Sequence, residues 1–346
     1  MDKYKKIFWG IVSFGLALLT IKVVFAQSGT MSMSQLLIVT AKSNKWMLFI
    51  AMFCSFLFIF FEGIAIVSIL SNAGYERSLY DGMVYAASDI YFSSITPSAS
   101  GGQPASAYFM VNDGIPAGVV TATLILNLMM YTLSIIVLGL VAFLLKPSAF
   151  ISFSTISKIF IIVGFIVFLA LSLVFLTLLK KGEWLFGLVT KIINFLSRKN
   201  IIHNPNKFNL KIKKIMSDYE KCAEMISGKK RILIQAFIWN FLQRLSQILV
   251  SMFVYIGMFR NVDNALEVYV KQCLITIGFN YVPVPGAMGI ADYLMIDGFS
   301  GIMKKADAFK LEMVSRGMSF YICVLLGAVI TLIGYLVKRR KNVRSI

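Results

Sequence analysis

Hydrophobic and polar positions alternate along this chain in long blocks rather than residue by residue. Six apolar runs stand out: Ile7–Ala26, Trp46–Leu70, Val119–Leu145, Ile159–Leu179, Ile232–Phe259 and Ser319–Val337. Each approaches or exceeds the roughly 20 residues that a helix needs to cross the hydrocarbon core of a bilayer. Two further stretches, about 85–112 and about 266–301, are moderately apolar but interrupted by glycine and proline. Neither reads as one clean span. The pattern predicts an all-α polytopic membrane protein with about six full spans and two re-entrant, Gly/Pro-broken helical hairpins.

The two breaks carry the most information. The first is Thr96-Pro97-Ser98-Ala99-Ser100-Gly101-Gly102-Gln103-Pro104, and the second contains Pro283, Pro285, Gly286 and Gly289, followed by Asp292. Irregular backbone at membrane depth leaves N–H and C=O groups without partners, so it survives only inside protein or facing a wet cavity. Pro97 and Pro104 end helices, and Gly101-Gly102 lets backbone or ligand approach closely. The N–H groups freed there, and those starting the next helix, can bind an anion such as a lipid phosphate. Broken apolar segments at corresponding places in two halves are a pointer to a transporter binding site. The alternative is that both breaks are kinks or loops at the membrane surface.

Charge then sets the topology. Lys3, Lys5 and Lys6 precede the first run, and Lys338, Arg339, Arg340, Lys341 and Arg344 follow the last. Between Lys180 and Arg231 thirteen basic residues face four acidic ones. Positive flanks mark the cytoplasmic side, so both termini and this loop are expected there. The first run, without a small-residue cleavage site close behind a short apolar core, reads as a retained anchor. The crossing count puts the entry of the first hairpin on the cytoplasmic side and of the second on the outside, which would make the halves an inverted repeat. The halves are 1–180, with the hairpin at about 85–112, and 231–346, with the hairpin at about 266–301. A basic linker, 181–230, joins them. In it Phe208, Ile212, Ile215, Tyr219, Cys222 and Ile226 recur at helical spacing, with Lys211, Lys213, Lys214 and Lys221 on other faces. Such a helix lies in the anionic inner-leaflet interface through its basic 207–231 segment, or packs on the cytoplasmic ends of the bundle.

The net charge of +18 follows from these positive loops, and no nucleic-acid partner is expected. Charged residues make up only 14% of the chain, against about 25% in soluble domains. Cys54, Cys222, Cys273 and Cys323 are scattered, with no CxxC and no His/Cys cluster, so neither a disulfide framework nor a metal site is expected. His203, the only histidine, lies in the linker, which argues against an intramembrane serine protease. Asp89 and Asp292 do not stand in the context of an aspartyl intramembrane protease. No phosphate-binding loop or nucleotide fingerprint is present, and no cofactor is expected.

Ionisable residues within spans are functional candidates. Glu62 lies in the second run and Arg244 in the fifth; Asn240 and Arg244 share a helical face, with Gln243 and Gln247 nearby. Arg244 suits a lipid phosphate because its planar fork donates bidentately, while Glu62 or Asp292 suits a cationic amine. A structural Glu62–Arg244 ion pair is the competing reading. Asp89, Asp113 and Gln103 are secondary candidates near the first break.

Ser94-Ile95-Thr96-Pro97-Ser98-Ala99-Ser100-Gly101-Gly102-Gln103-Pro104 resembles the signature of the flippase-like membrane domain of lysylphosphatidylglycerol synthases, the multiple peptide resistance factors of bacteria. Pro283-Val284-Pro285-Gly286-Ala287-Met288-Gly289-Ile290-Ala291-Asp292 resembles that family's P-x-P-G-G-x-G-x-x-E element, with Ala287 at a usual glycine and Asp292 at a usual glutamate. The resemblance implies a multi-pass protein of the bacterial cytoplasmic membrane that moves aminoacylated phosphatidylglycerol, or a related anionic lipid, between leaflets and supports resistance to cationic antimicrobial peptides. The family's lipid synthesis from aminoacyl-tRNA belongs to a soluble domain. No stretch outside the apolar segments here reaches the order of 100 residues such a fold needs. Phosphatidylglycerol lysyltransferase activity would therefore need a separate transferase chain as partner. A transporter for another anionic or lipid-linked solute is the third reading. Pairing of two copies through apolar faces would give a homodimer.

Overall fold

The computed structural model describes residues 33–96, 100–180, 187, 191, 205–282, 287 and 289–344. The expected first span, Ile7–Ala26, lies outside them, as do Pro97, Pro283, Pro285 and Gly286. Among the described residues the chain is helical with no strand, and five helices are long and apolar enough to cross a membrane.

After a short α1 (Met33–Lys42), α2 (Lys45–Asn72) starts where the Asn44 side chain accepts the N–H groups of Trp46 and Met47. That cap satisfies two donors a helix start would leave open. The buried residues of α2 recur every three or four positions from Ala51 to Leu70, so one stripe faces protein and the rest can face lipid. Then comes the first hairpin: α3 (Leu79–Ile95), a break, and α4 (Gly102–Asn112). Next are the spans α5 (Ala117–Leu145) and α7 (Thr155–Lys180), joined by the short α6 (Pro147–Ile151). The amphipathic helix α8 (Pro205–Ser227) precedes the span α9 (Lys230–Phe259). The second hairpin is α10 (Ala265–Phe279) and α11 (Ile290–Ser300). The last span is continuous from Lys305 to Lys338: α12 (Lys305–Arg316) runs through a π-turn (Gly317–Tyr321) into α13 (Ile322–Arg344).

This last helix begins well before Ser319, where the apolar run starts. Asp307, Lys310, Glu312 and Arg316 lower the local hydropathy, yet they pair along the helix, Asp307 with Lys310 and Glu312 with Arg316. Glu312 and Arg316 are buried. Charge that is neutralised inside the protein is invisible to a hydropathy scan.

The hairpins enter from opposite ends of the bundle. α5 has 29 residues, about 43 Å at 1.5 Å per residue. One end of it follows directly on Asp113, the base of the first hairpin. Beyond the other end, Lys146 pairs with Glu267 at the base of the second hairpin. The last span runs the other way between the same two places: it starts just after α11 and ends with Lys338 bound to Asp81 at 2.9 Å and to Asp113. Packing follows the same exchange. α3 packs on α2 and on α13, from opposite halves; α10 packs on α9 and on α5, again one from each. The spans α2 and α9, one from each half, pack on each other.

Of the two arrangements open to the basic amphipathic helix, the structure has the packed one. Tyr219, Cys222, Ala223 and Ile226 of α8 are buried in the same apolar cluster as Val119 and Leu126 of α5. The Tyr219 hydroxyl donates to the Leu178 carbonyl at 2.8 Å, and burial pushes the Cys222 thiol up to about 12. Lys213, Lys214, Lys221, Lys229 and Lys230 point outward and are exposed.

Candidate functional site

Where the hairpin tips approach each other, a cavity of about 420 Å³ opens between the two halves. Its wall draws on α2, on both hairpins, on α5 and α9, and on the π-turn of the last span. π-turns favour functional sites because they free backbone and redirect side chains.

The first hairpin is locked onto one carboxylate. At the break, the Thr96 hydroxyl donates to the Phe92 carbonyl at 2.6 Å and accepts the Gly101 N–H at 2.9 Å, so a single side chain bridges the end of α3 and the start of α4. Gly102 then lies against Asp89: a Cβ there would sit 2.0 Å from Asp89 Oδ1, 2.0 Å from Ser93 Oγ and 2.5 Å from the Asp89 carbonyl oxygen. The close approach predicted for this glycine pair is made by the protein's own side chains. Gln103 Nε2 donates to Asp89 Oδ2 at 2.5 Å, and Ser93 Oγ to Asp89 Oδ1 at 3.0 Å. Pro104 falls in the first turn of α4, where a missing N–H removes no helical hydrogen bond.

Glu62 reaches the same place from the buried stripe of α2. Gln243 Nε2 donates to Glu62 Oε2 at 2.9 Å, and the Glu62 and Asp89 carboxyl groups line the same cavity. Arg244 is buried above the rings of Tyr131, at 3.8 Å, and Phe58, at 5.0 Å, and donates to Gln247 Oε1 at 2.5 Å. No direct ion pair joins it to Glu62 among the described residues, and its Nε is buried without a partner. Stacking on aromatic faces holds a guanidinium in place while leaving its in-plane donors available. Asn240 lies one helical turn away and donates to Asn127 Oδ1 at 2.9 Å; Asn127, not Asn240, lines the cavity.

The second hairpin is built differently. Ala287 and Gly289 both have positive φ, 49° and 82°. A left-handed backbone explains why a glycine is usual where Ala287 stands. The Gly289 N–H donates to Asp292 Oδ2 at 2.9 Å, which caps α11 with a carboxylate at its positive end. Asp292 Oδ1 in turn pairs with Arg316 Nε at 3.1 Å, and Glu312 lies 4.0 Å from the same nitrogen. Ala287 and Arg316 line the cavity; Asp292 reaches it only through Arg316.

The structure therefore brings Glu62, Gln103 and Arg244 together, adds Asp89 as the centre of the first tip, and places Asp292 and Asn240 one contact behind. Asp113 lies away from the cavity, at the hairpin base, bound to Tyr85 and Lys338. Sequence reasoning did not single out Tyr131, Gln272, Asn280 or Arg316, all of which line the cavity. The available signal was polarity inside otherwise apolar stretches, as at Gln272 and Asn280.

Polar donors and acceptors enclosed within a membrane protein can hold a charged small group. At about 4 Å and an effective dielectric near 20, two like charges repel by about 4 kcal/mol, so Glu62 and Asp89 need a counter-charge or a proton between them.

One comparison with known proteins shows what kind of protein this is. The family description "Lysylphosphatidylglycerol synthase TM region" matches residues 10–327. No curated protein and no solved structure matches the chain. The match spans both broken segments, the basic linker and the first four of the five spans, and runs into the fifth, and the protein belongs to the lysylphosphatidylglycerol synthase TM region family.

Proposed function

We propose that the protein is a lipid flippase that carries the head group of an aminoacylated phosphatidylglycerol, or a related anionic lipid, through the cavity between the two hairpins. The observation that carries this reading is the coexistence in one cavity of an arginine without an ion-pair partner and a buried carboxyl pair. Arg244 takes the phosphate, and Glu62 with Asp89 takes the amine. A volume of about 420 Å³ suits a head group, whereas two acyl chains exceed it and stay in the bilayer. The exposed lysines of α8 and its C-terminal flank hold the protein against the anionic inner leaflet, where such a lipid would be loaded. In a bacterial cytoplasmic membrane, exporting a cationic lipid lowers outer-surface negative charge and supports resistance to cationic peptides.

The test is a leaflet-resolved lipid assay in reconstituted vesicles holding lysylphosphatidylglycerol and phosphatidylglycerol. The expected result is protein-dependent movement of the aminoacylated lipid, lost in Arg244→Gln protein that still folds. Unchanged leaflet distributions for every lipid tested would sink the reading.

A further inference from the structure

Translocation against a gradient needs an energy source, and the carboxyl pair offers a site through which a proton gradient can be coupled to it. Glu62 and Asp89 are more than nine-tenths buried. Carboxylates only accept hydrogen bonds, so two of them buried in one cavity wall can bond to each other only when one carries a proton to donate. The remaining contacts all come from donors: Gln103 Nε2 and Ser93 Oγ to Asp89, and Gln243 Nε2 to Glu62. Because the carboxyl groups fix which end of each amide is nitrogen, Gln103 Oε1 and Gln243 Oε1 turn away, and both are buried without a partner. Gln243 is itself only 1% exposed. Two orphan acceptors beside a carboxyl pair are complementary to a group with several N–H donors, and an alkylammonium has three.

The charges agree with that fit. The titratable and charged groups around the pair are Arg244 from α9, Tyr131 from α5 and Cys323 from α13. Arg316, across the cavity, is engaged by Asp292 and Glu312. One proton shared by the pair leaves a single negative charge opposite Arg244. Losing that proton adds one negative charge, which a bound ammonium offsets.

We propose that Glu62 and Asp89 together form a proton site whose one shared proton is exchanged for the ammonium group of the substrate, so that amine binding expels a proton. This rests on the lipid-flippase reading and adds the coupling ion to it. A proton released on loading at one membrane face and regained after unloading at the other makes head-group movement sensitive to the transmembrane proton gradient.

The experiment uses the full chain in detergent, in weak buffer with a pH-sensitive dye, titrated with lysylphosphatidylglycerol or phosphatidylglycerol while bound lipid is counted by native mass spectrometry. Lysylphosphatidylglycerol is expected to release protons, approaching one per bound lipid, and phosphatidylglycerol none. Asp89→Asn and Glu62→Gln are each expected to weaken binding and to abolish proton release per lysylphosphatidylglycerol molecule that still binds. Binding of lysylphosphatidylglycerol by the unaltered protein with no proton release anywhere from about pH 5 to 8 overturns the exchange and leaves the flippase reading standing. Failure to bind either lipid overturns the flippase reading, and the exchange with it.

Discussion

Two groups of one arginine and two carboxyls lie at the same cavity, one lining it with all three residues and the other only with its arginine, and they differ in how far the protein satisfies its own charges. In the group beside the second hairpin Arg316 is taken: Asp292 lies at 3.1 Å, Glu312 at 4.0 Å, and Asp292 also caps α11. In the first, Arg244 rests on two aromatic rings with no carboxylate against it, and its Nε has no partner. The paired arginine ties two helices together, while the stacked one is held in position with a donor left over. Similar residue types are thus ion-paired on one side of the cavity and without an ion pair on the other, where the proposed recognition takes place. The hairpin tips differ in parallel. Gly102 is a glycine for lack of space, with its Cβ position 2.0 Å from Asp89 Oδ1; Gly289 has nothing within 4 Å but a φ of 82°.

Arg316→Gln should break this contrast most strongly. It leaves buried Glu312 uncompensated and costs about 3 kcal/mol, the low end for a broken buried pair because Asp292 keeps contact with water. Thermal unfolding in detergent measures it, and a loss near zero would mean that Arg316 is not structural. Arg244→Gln should do the reverse. Lipid affinity falls by about 10- to 100-fold, as expected for one charge-assisted contact, while the unfolding midpoint moves less than in Arg316→Gln. Equal destabilisation by the two changes would erase the distinction.

Next come the glycines. Gly102→Ala should cost about 1–3 kcal/mol and weaken head-group binding, because α4 must move away from Asp89. Gly289→Ala should cost about 1 kcal/mol, through the backbone dihedral alone, and leave binding nearly unchanged. The smallest effect, of opposite sign, belongs to Ala287→Gly: relief of its positive φ should stabilise the protein by about 0.5–1 kcal/mol. Unfolding midpoints of all three variants rank the two hairpins on one scale.

Much of this architecture can be read from the chain. Apolar run lengths locate the spans, with helix ends extended only slightly at Lys45, Thr155 and Lys230. Proline and glycine locate both breaks, since a broken apolar segment has few other physical solutions. The last helix is the instructive exception: its start at Lys305 depends on ion pairs that neutralise its charges. The linker helix was legible as amphipathic, but the choice between bilayer and bundle was made by Tyr219, Cys222 and Ile226 finding a complementary apolar surface.

Within the site, Glu62 and Arg244 were conspicuous because an isolated charge in an apolar run is costly unless it is used. Which carboxyl stands beside which arginine was not legible, because Glu62, Asp89 and Arg244 lie on three helices remote in sequence. The chain alone determined a membrane-spanning helical protein with two interrupted segments, because hydrophobicity and backbone chemistry act locally. Only the tertiary structure decided that the interruptions share one cavity, that Arg316 is directly ion-paired there, and that Arg244 is not, because charge pairing depends on distances that helix packing sets.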